Sequence, residues 1–274
     1  MEEKALRLSA VFLMILTAVS FVLLPKLPAL HTWEVEAREE RIAEEEFAQS
    51  QVTMQNLKIK EQNEAAGAKG ELSIRLPEGV TGDQIAVSND YVTQTIRVEI
   101  PQADRTYFDS YPVLGNSDYI DGLSYTRQGE TGVIEVTTNK VYELQTEYDA
   151  QNFYFNFLTP HEVYDKVVVI DAGHGGRAVG ANKQGINEKD IDLAIVLKLK
   201  EIFDNSDQNI GVYYTRTDDS NPTFDQRVQL ANKSDADLFI SIHNNSTRSG
   251  RMSGTSGTQV MYDETCLLYT SDAA

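Results

Sequence analysis

Two histidines and one glutamate occupy positions from which an α/β chain could do chemistry. His174 sits in the turn Gly173-His174-Gly175-Gly176, just past the apolar run Val167-Val168-Val169-Ile170. His243 directly follows a second apolar run, Leu238 to Ile242. Glu188, after Asn187, opens the segment that follows the first run and reads as a helix. In open α/β sheets, sites form at the carboxyl ends of the strands. Both imidazoles therefore project at one sheet edge, and Glu188 can reach the same edge. Two imidazoles and one carboxylate are a catalytic-type zinc set, with a fourth position open to water. Zinc there would polarise a carbonyl and lower the pKa of its water to about 7. Taken singly, each residue has a plainer explanation. A lone histidine is more often structural, and Glu188 could be only a favourable charge at a helix N-terminus. The glycine turn could cradle a phosphate, although no P-loop lysine follows it. Their combination is what favours a metal.

The elements that must position these residues are legible around them. Val167 to Ile170 is continuously apolar, as in a parallel strand buried on both faces. Asn187 can cap the next helix, with Asp190 three residues on as a short stand-in for the usual Glu. From Ile191 to Phe203 the chain is apolar on a wide face, so this helix packs on a sheet. Ile210 to Thr215 reads as a second strand. Thr223 with Gln226 forms a capping box for a helix through Ala231, and Leu238 to Ile242 is the third strand. Strands alternating with helices predict a parallel α/β sheet.

The rest of the chain bounds where this site works. A length of 274 residues is a soft prior for two domains, and a hydrophobic content of 41% is enough for real cores. The formal net charge of −18 argues against nucleic acid as a partner. The single cysteine, Cys266, excludes an intrachain disulfide. Residues 5–24 form an apolar run broken only by Arg7, long enough as a helix to cross a hydrocarbon core of about 30 Å. With Lys4 and Arg7 at its start, it reads as a single-pass signal-anchor that leaves the rest of the chain extracytoplasmic. A cleaved signal peptide is the competing reading, but bulky residues at Pro25 to Leu30 disfavour cleavage. Residues 25–68 are polar and acidic and read as a helical stalk or linker.

Residues 69–162 change period. Leu72, Ile74 and Leu76 alternate with polar residues, as do Ile96, Val98 and Ile100, then Ile134 and Val136, then Phe153, Phe155 and Phe157. Period 2 between turn signals predicts short half-buried strands and a small β-sandwich. The tyrosines of this region, Tyr125 and Tyr142 among them, could line a sugar-binding face, but sheet packing is the preferred reading.

The motifs together resemble a known family. Ile170-Asp171-Ala172-Gly173-His174-Gly175-Gly176, Asn187-Glu188, Tyr214-Thr215-Arg216-Thr217-Asp218, Arg227 with Ala231-Asn232, and Ser241-Ile242-His243-Asn244-Asn245 are similar to the zinc-dependent N-acetylmuramoyl-L-alanine amidases. The resemblance implies a peptidoglycan hydrolase that cleaves the amide between N-acetylmuramic acid and the L-alanine of the stem peptide. It makes His174, Glu188 and His243 the zinc ligands, and gives Arg227 and Asn232 a supporting place. It also makes the 69–162 region look like the wall-targeting β-sandwich that often precedes these amidases. The amidase domain is expected over 166–264, with Val260 to Asp263 fitting the strand after the second His. The family's general base is a further Glu on a late strand, and only 31 residues follow His243 (274 − 243). The catalytic Glu is therefore expected to lie beyond the end of this chain, with 265–274 a foreign tail and the polypeptide poorly stable and nearly inactive. The expected partners are peptidoglycan and, through the N-terminal helix, a membrane; no motif specifies a protein activator. The alternatives are a wall-binding or scaffold protein without catalysis, and another zinc peptidase.

Overall fold

The computed structural model describes residues 41, 55–57, 60–61, 70–244 and 257–261. The signal-anchor expected at 5–24, most of the 25–68 stalk and the tail at 265–274 lie outside the described residues. Among the described residues, no helix is long and apolar enough to cross a membrane.

The first half is a two-sheet sandwich. One sheet has the order β1-β7-β8-β5-β4, and the other the order β2-β6-β3-β10-β9. The strands are β1 (Gln55–Asn56), β2 (Lys60–Glu61), β3 (Leu72–Arg75), β4 (Ala86–Asp90) and β5 (Thr95–Pro101), then β6 (Leu114–Gly115), β7 (Ile120–Gln128), β8 (Thr131–Thr138), β9 (Glu143–Tyr148) and β10 (Asn152–Leu158). A short helix α1 (Arg105–Ser110) lies between β5 and β6. Strand β5 alternates between half-buried and buried, and so does β10. Their inward residues meet in one core, with Ile96, Val98 and Ile134 from the first sheet against Leu72, Ile74, Phe153 and Phe155 from the second. Tyr125 and Tyr142 belong to that core. The expected stalk ends earlier than residue 68, because β1 pairs with β7 and β2 pairs with β6. Two-residue strands carry no readable period, which is why the sequence hides this entry into the sheets.

After the short helix α2 (Pro160–Val163) the chain turns to a parallel sheet. Strand β11 (Lys166–Ala172) lies between β14 (Ile210–Tyr214) and β15 (Leu238–Ile242), parallel to both. The continuous apolar run of β11 divides between two cores. Val167 and Val169 join Tyr213, and Leu230 of helix α4 (Phe224–Lys233), on one face. Ile170 and Ala172 join Val196 of helix α3 (Glu188–Asp204) on the other. Both faces are covered, as the sequence pattern requires. The capping box at Thr223 and Gln226 forms as expected. Asn187 stands at the N-cap of α3, but its side chain bonds the Asp190 carboxylate rather than the helix backbone. A small hairpin, β12 (Asn182–Lys183) with β13 (Ile186–Asn187), leads into α3.

The apolar face of α3 is covered only in part, since Ile195, Leu197 and Ile202 remain exposed. Leu238, Phe239 and Ile240 of the edge strand β15 are exposed as well. Residues 257–261 fall in a separate unit, 245–274. Among the described residues, Val260 and Met261, expected in a strand, are exposed and form none.

The sandwich and the parallel sheet share contacts. Glu143 accepts hydrogen bonds from Tyr91 at 2.9 Å and from Tyr213 at 2.6 Å. Burial and the Glu143 charge both push the two phenols well above their ordinary pKa, so they remain donors. The Val141 N–H donates to the Lys233 carbonyl at 3.0 Å.

Phe155 has no exposed surface and sits at the centre of the sandwich core. Phe155→Ala is expected to cost about 3–5 kcal/mol, read as a lower denaturation midpoint in urea; a change below about 1 kcal/mol would mean that the two sheets do not share this core.

Candidate metal centre

The site grows from the carboxyl end of β11. Asp171, the penultimate residue of that strand, is 3% exposed and charged. Its Oδ1 accepts from Thr215 Oγ1 and Arg227 Nη1, both at 2.6 Å, and its Oδ2 accepts from Ser241 Oγ at 2.6 Å. Burial alone would raise its pKa; the Arg227 charge and the three donors outweigh burial and hold it below the ordinary value of 3.8. This one carboxylate joins β11 to the residue that follows β14, to β15 and to α4.

Arg227 then reaches the turn itself. It donates to the Ala172 carbonyl at 2.7 Å and to the His174 carbonyl at 2.8 Å. Arg216, also buried, donates to the carbonyls of Ala172, Gly173 and Lys189. Lys189 bridges the Gly176 carbonyl and both oxygens of Asp219. These three cations fix a strained backbone, because His174 has a φ of 59° in the left-handed region. A non-glycine residue there costs about 1–3 kcal/mol and persists only where its surroundings over-determine it.

The turn brings the expected residues together. His174 Nε2, Glu188 Oε1 and His243 Nδ1 lie 3.2 to 3.3 Å from one another. Zinc bonds of about 2.0–2.2 Å in a tetrahedron put neighbouring ligand atoms roughly 3.3–3.6 Å apart. Two imidazoles and a carboxylate at that mutual spacing fit a zinc ion. The other oxygen of Glu188 accepts the Ala181 N–H at 2.7 Å, and the Asn244 N–H donates to Oε1 at 2.9 Å. Burial would raise the Glu188 pKa, but hydrogen bonds from the two imidazoles and from Ala181 reverse the direction and keep it ionised.

Two glycines make room for this arrangement. A methyl group on Gly173 would land in the His243 ring. One on Gly180 would stand 2.6 Å from His174 Cδ2 and 2.7 Å from Glu188 Oε2. A cavity of about 720 Å³ lies elsewhere, between Tyr91 and Val92 of the sandwich and Tyr213 and Tyr214 of β14, and it includes none of the three residues.

A fourth residue of the cluster was not foreseen. Asp192 is fully buried and offers a ligand atom within 4.8 Å of those of His174, Glu188 and His243. Its position was readable, for it stands four residues after Glu188 and so on the same helix face. Burial pushes its pKa up to about 6, with the Glu188 charge adding to the rise against a hydrogen bond from Asn244. Of the motif positions without assigned chemistry, Arg227 proves to be the clamp on the turn, while Asn232 is exposed on α4.

Residues 168–272 match the family described as N-acetylmuramoyl-L-alanine amidase. The chain is 45% identical over 86 residues to the endolysin of Bacillus phage SPP1, covering 31% of this chain and 31% of that protein. It is 41% identical over 78 residues to an N-acetylmuramoyl-L-alanine amidase of Bacillus licheniformis, covering 28% of this chain and 31% of that protein. A solved amidase from Clostridium difficile 630 is 37% identical, with 32% of this chain and 48% of that one covered and a TM-score of 0.31. The chain thus spans about a third of the length of these two curated relatives.

Asp171→Asn would leave the Arg227 guanidinium buried without its counter-charge, at an expected cost of about 3–5 kcal/mol at pH 7. A group whose folded pKa is depressed contributes stability above its unfolded pKa and loses it as pH falls through the folded value. The difference between wild type and variant, measured by urea denaturation, is therefore expected to shrink as pH drops below 3.8. A difference that stays constant down to pH 2 would show that Asp171 is not ionised in the fold.

Proposed function

We propose that this protein is a peptidoglycan hydrolase that cleaves the amide between N-acetylmuramic acid and the L-alanine of the stem peptide. In this reading His174, Glu188 and His243 hold a zinc ion. The mutual spacing of 3.2 to 3.3 Å among their three donor atoms carries the reading. The match of residues 168–272 to the N-acetylmuramoyl-L-alanine amidase family supports the bond that is cut. A zinc ion held by these residues would supply Lewis-acid polarisation of a carbonyl and activation of water near neutral pH.

The chain's own residues supply the preparation. Glu188 is held ionised and aimed by two backbone N–H groups, so its charge meets the cation without reorganisation. The carbonyl clamps of Arg216 and Arg227 hold His174 in a conformation it would otherwise avoid. Bare backbone at Gly173 and Gly180 keeps side-chain atoms out of the ligand space. Among the described residues, the cluster contains no glutamate besides Glu188.

The test is product identity with excess protein over long incubation. Zinc-loaded protein on purified peptidoglycan is expected to release stem peptides with free L-alanine amino termini and intact crosslinks. His174→Ala and His243→Ala are expected to abolish both zinc retention and this product. Cleaved crosslinks would make the protein a peptidase instead. Saturable wall binding with no metal-dependent product would make it a wall-binding protein.

The same reading places the domain outside the membrane, at the wall, tethered by residues 5–24. Alkaline phosphatase fused after residue 68 is expected to be active in cells; an inactive fusion of normal abundance would put the domain in the cytoplasm.

A further inference from the structure

Strand β14 leaves one side unpaired. Among the described residues it ends the parallel sheet and pairs with β11 alone. The register sets which groups face outward. The Thr215 N–H donates to the Ile170 carbonyl at 3.1 Å, and Tyr214 stands opposite Ile170. Main-chain groups of successive strand residues point to opposite sides. Tyr213 and Thr215 therefore spend theirs on β11, while the N–H and C=O groups of Val212 and Tyr214 face away from it. Soluble proteins blunt such edges with charge, proline or a covering element. Ile210–Tyr214 includes neither a charge nor a proline.

This open edge lines the cavity of about 720 Å³. Residues 212–218 form one wall, and residues 89–93, at the end of β4 and the turn after it, form the other. The volume is that of a ligand cleft. Its charges are unevenly matched. Lys200 is paired with Asp204 at 2.7 Å, and Arg216 spends its donors on main-chain carbonyls. Asp90 accepts only from Val92 and Thr93, and Asp218 only from Ser220, so both exposed carboxylates lack a counter-ion.

We propose that an extended segment of a partner protein, bearing lysine or arginine, docks in this cleft by adding a strand to β14. Strand addition to an open edge takes its affinity from main-chain hydrogen bonds and its specificity from side-chain pockets. The edge groups of Val212 and Tyr214 supply the first, and Asp90 and Asp218 select a cation for the second. The chain's own stretch through Glu44, Glu45 and Glu46 has the wrong sign to fill the site. The proposal is independent of the metal reading.

The probe is a capped, dye-labelled hexapeptide of alternating lysine and valine, titrated with the full chain and followed by fluorescence anisotropy. Saturable binding is expected. Val212→Pro deletes a donor that bonds nothing in the fold, at an edge position where proline is tolerated. It is expected to weaken binding about tenfold. The same peptide methylated at every backbone nitrogen is expected to lose binding to the wild-type chain, which keeps the test open should Val212→Pro lose its circular dichroism. Asp90→Asn combined with Asp218→Asn is expected to weaken binding about threefold and to reduce its salt dependence. No saturable binding, or equal binding of the methylated peptide, would overturn the proposal. So would a cleft that takes chitotetraose and no peptide, which would make it a glycan site. A peptide-free dimer that Val212→Pro dissolves would place a second copy on the edge instead, and would equally overturn it.

Discussion

The ion pair between Asp171 and Arg227 is the constraint on which the site depends. Both partners are almost wholly buried, with side chains 4% and 6% exposed. A pair taken so far out of water is sustained only when its remaining hydrogen-bonding capacity is filled. Here Thr215 and Ser241 fill the acid, and main-chain carbonyls of the turn fill much of the base. The carboxylate thus ties the ends of three strands together. The guanidinium passes that rigidity into the turn that carries His174. An apolar pair of similar volume could hold the strands but could not grip carbonyl oxygens.

That grip explains how flexible-looking sequence yields a defined geometry. Gly173-His174-Gly175-Gly176 would sample many conformations in isolation, since glycine restricts φ so little. In the fold, the carbonyls of Ala172, Gly173, His174 and Gly176 each accept from a buried or half-buried cation. Glu188 arrives from the first turn of α3 and His243 from the end of β15. Three separate elements therefore converge on one point, and each is positioned by a different set of bonds. Preorganisation of this kind lets ligands meet a cation without rearranging first.

Much of this was legible in the chain. The period-2 runs at β3, β5, β8 and β10 and the apolar run of β11 each carried their own signal. So did the three ligand candidates, because glycine turns and strand ends are local features. What escaped is non-local or too short. Asp171 bonds partners 44, 56 and 70 residues away, and no local pattern announces such a hub. Strands β1 and β2 have two residues each, too few to show a period. The polar strand β4 alternates only between exposed and half-buried, so its hydrophobic signal is faint. Asp192 was the one omission with a clear cue, its spacing from Glu188, but a second acid on a helix is usually a solvated one.

Glu143 ends a sandwich-side chain of contacts by accepting from one tyrosine of the sandwich, Tyr91, and one of the parallel sheet, Tyr213, whose rings also meet edge to face at 4.8 Å. A string-like tether between two modules would let the second search a volume set by its length. This joint works like the fixed head of a tool. The cluster of His174, Glu188 and His243 stands at the edge of a sheet bonded directly to the sandwich. The spacing between the cluster and the sandwich is then a property of the joint that Glu143 makes.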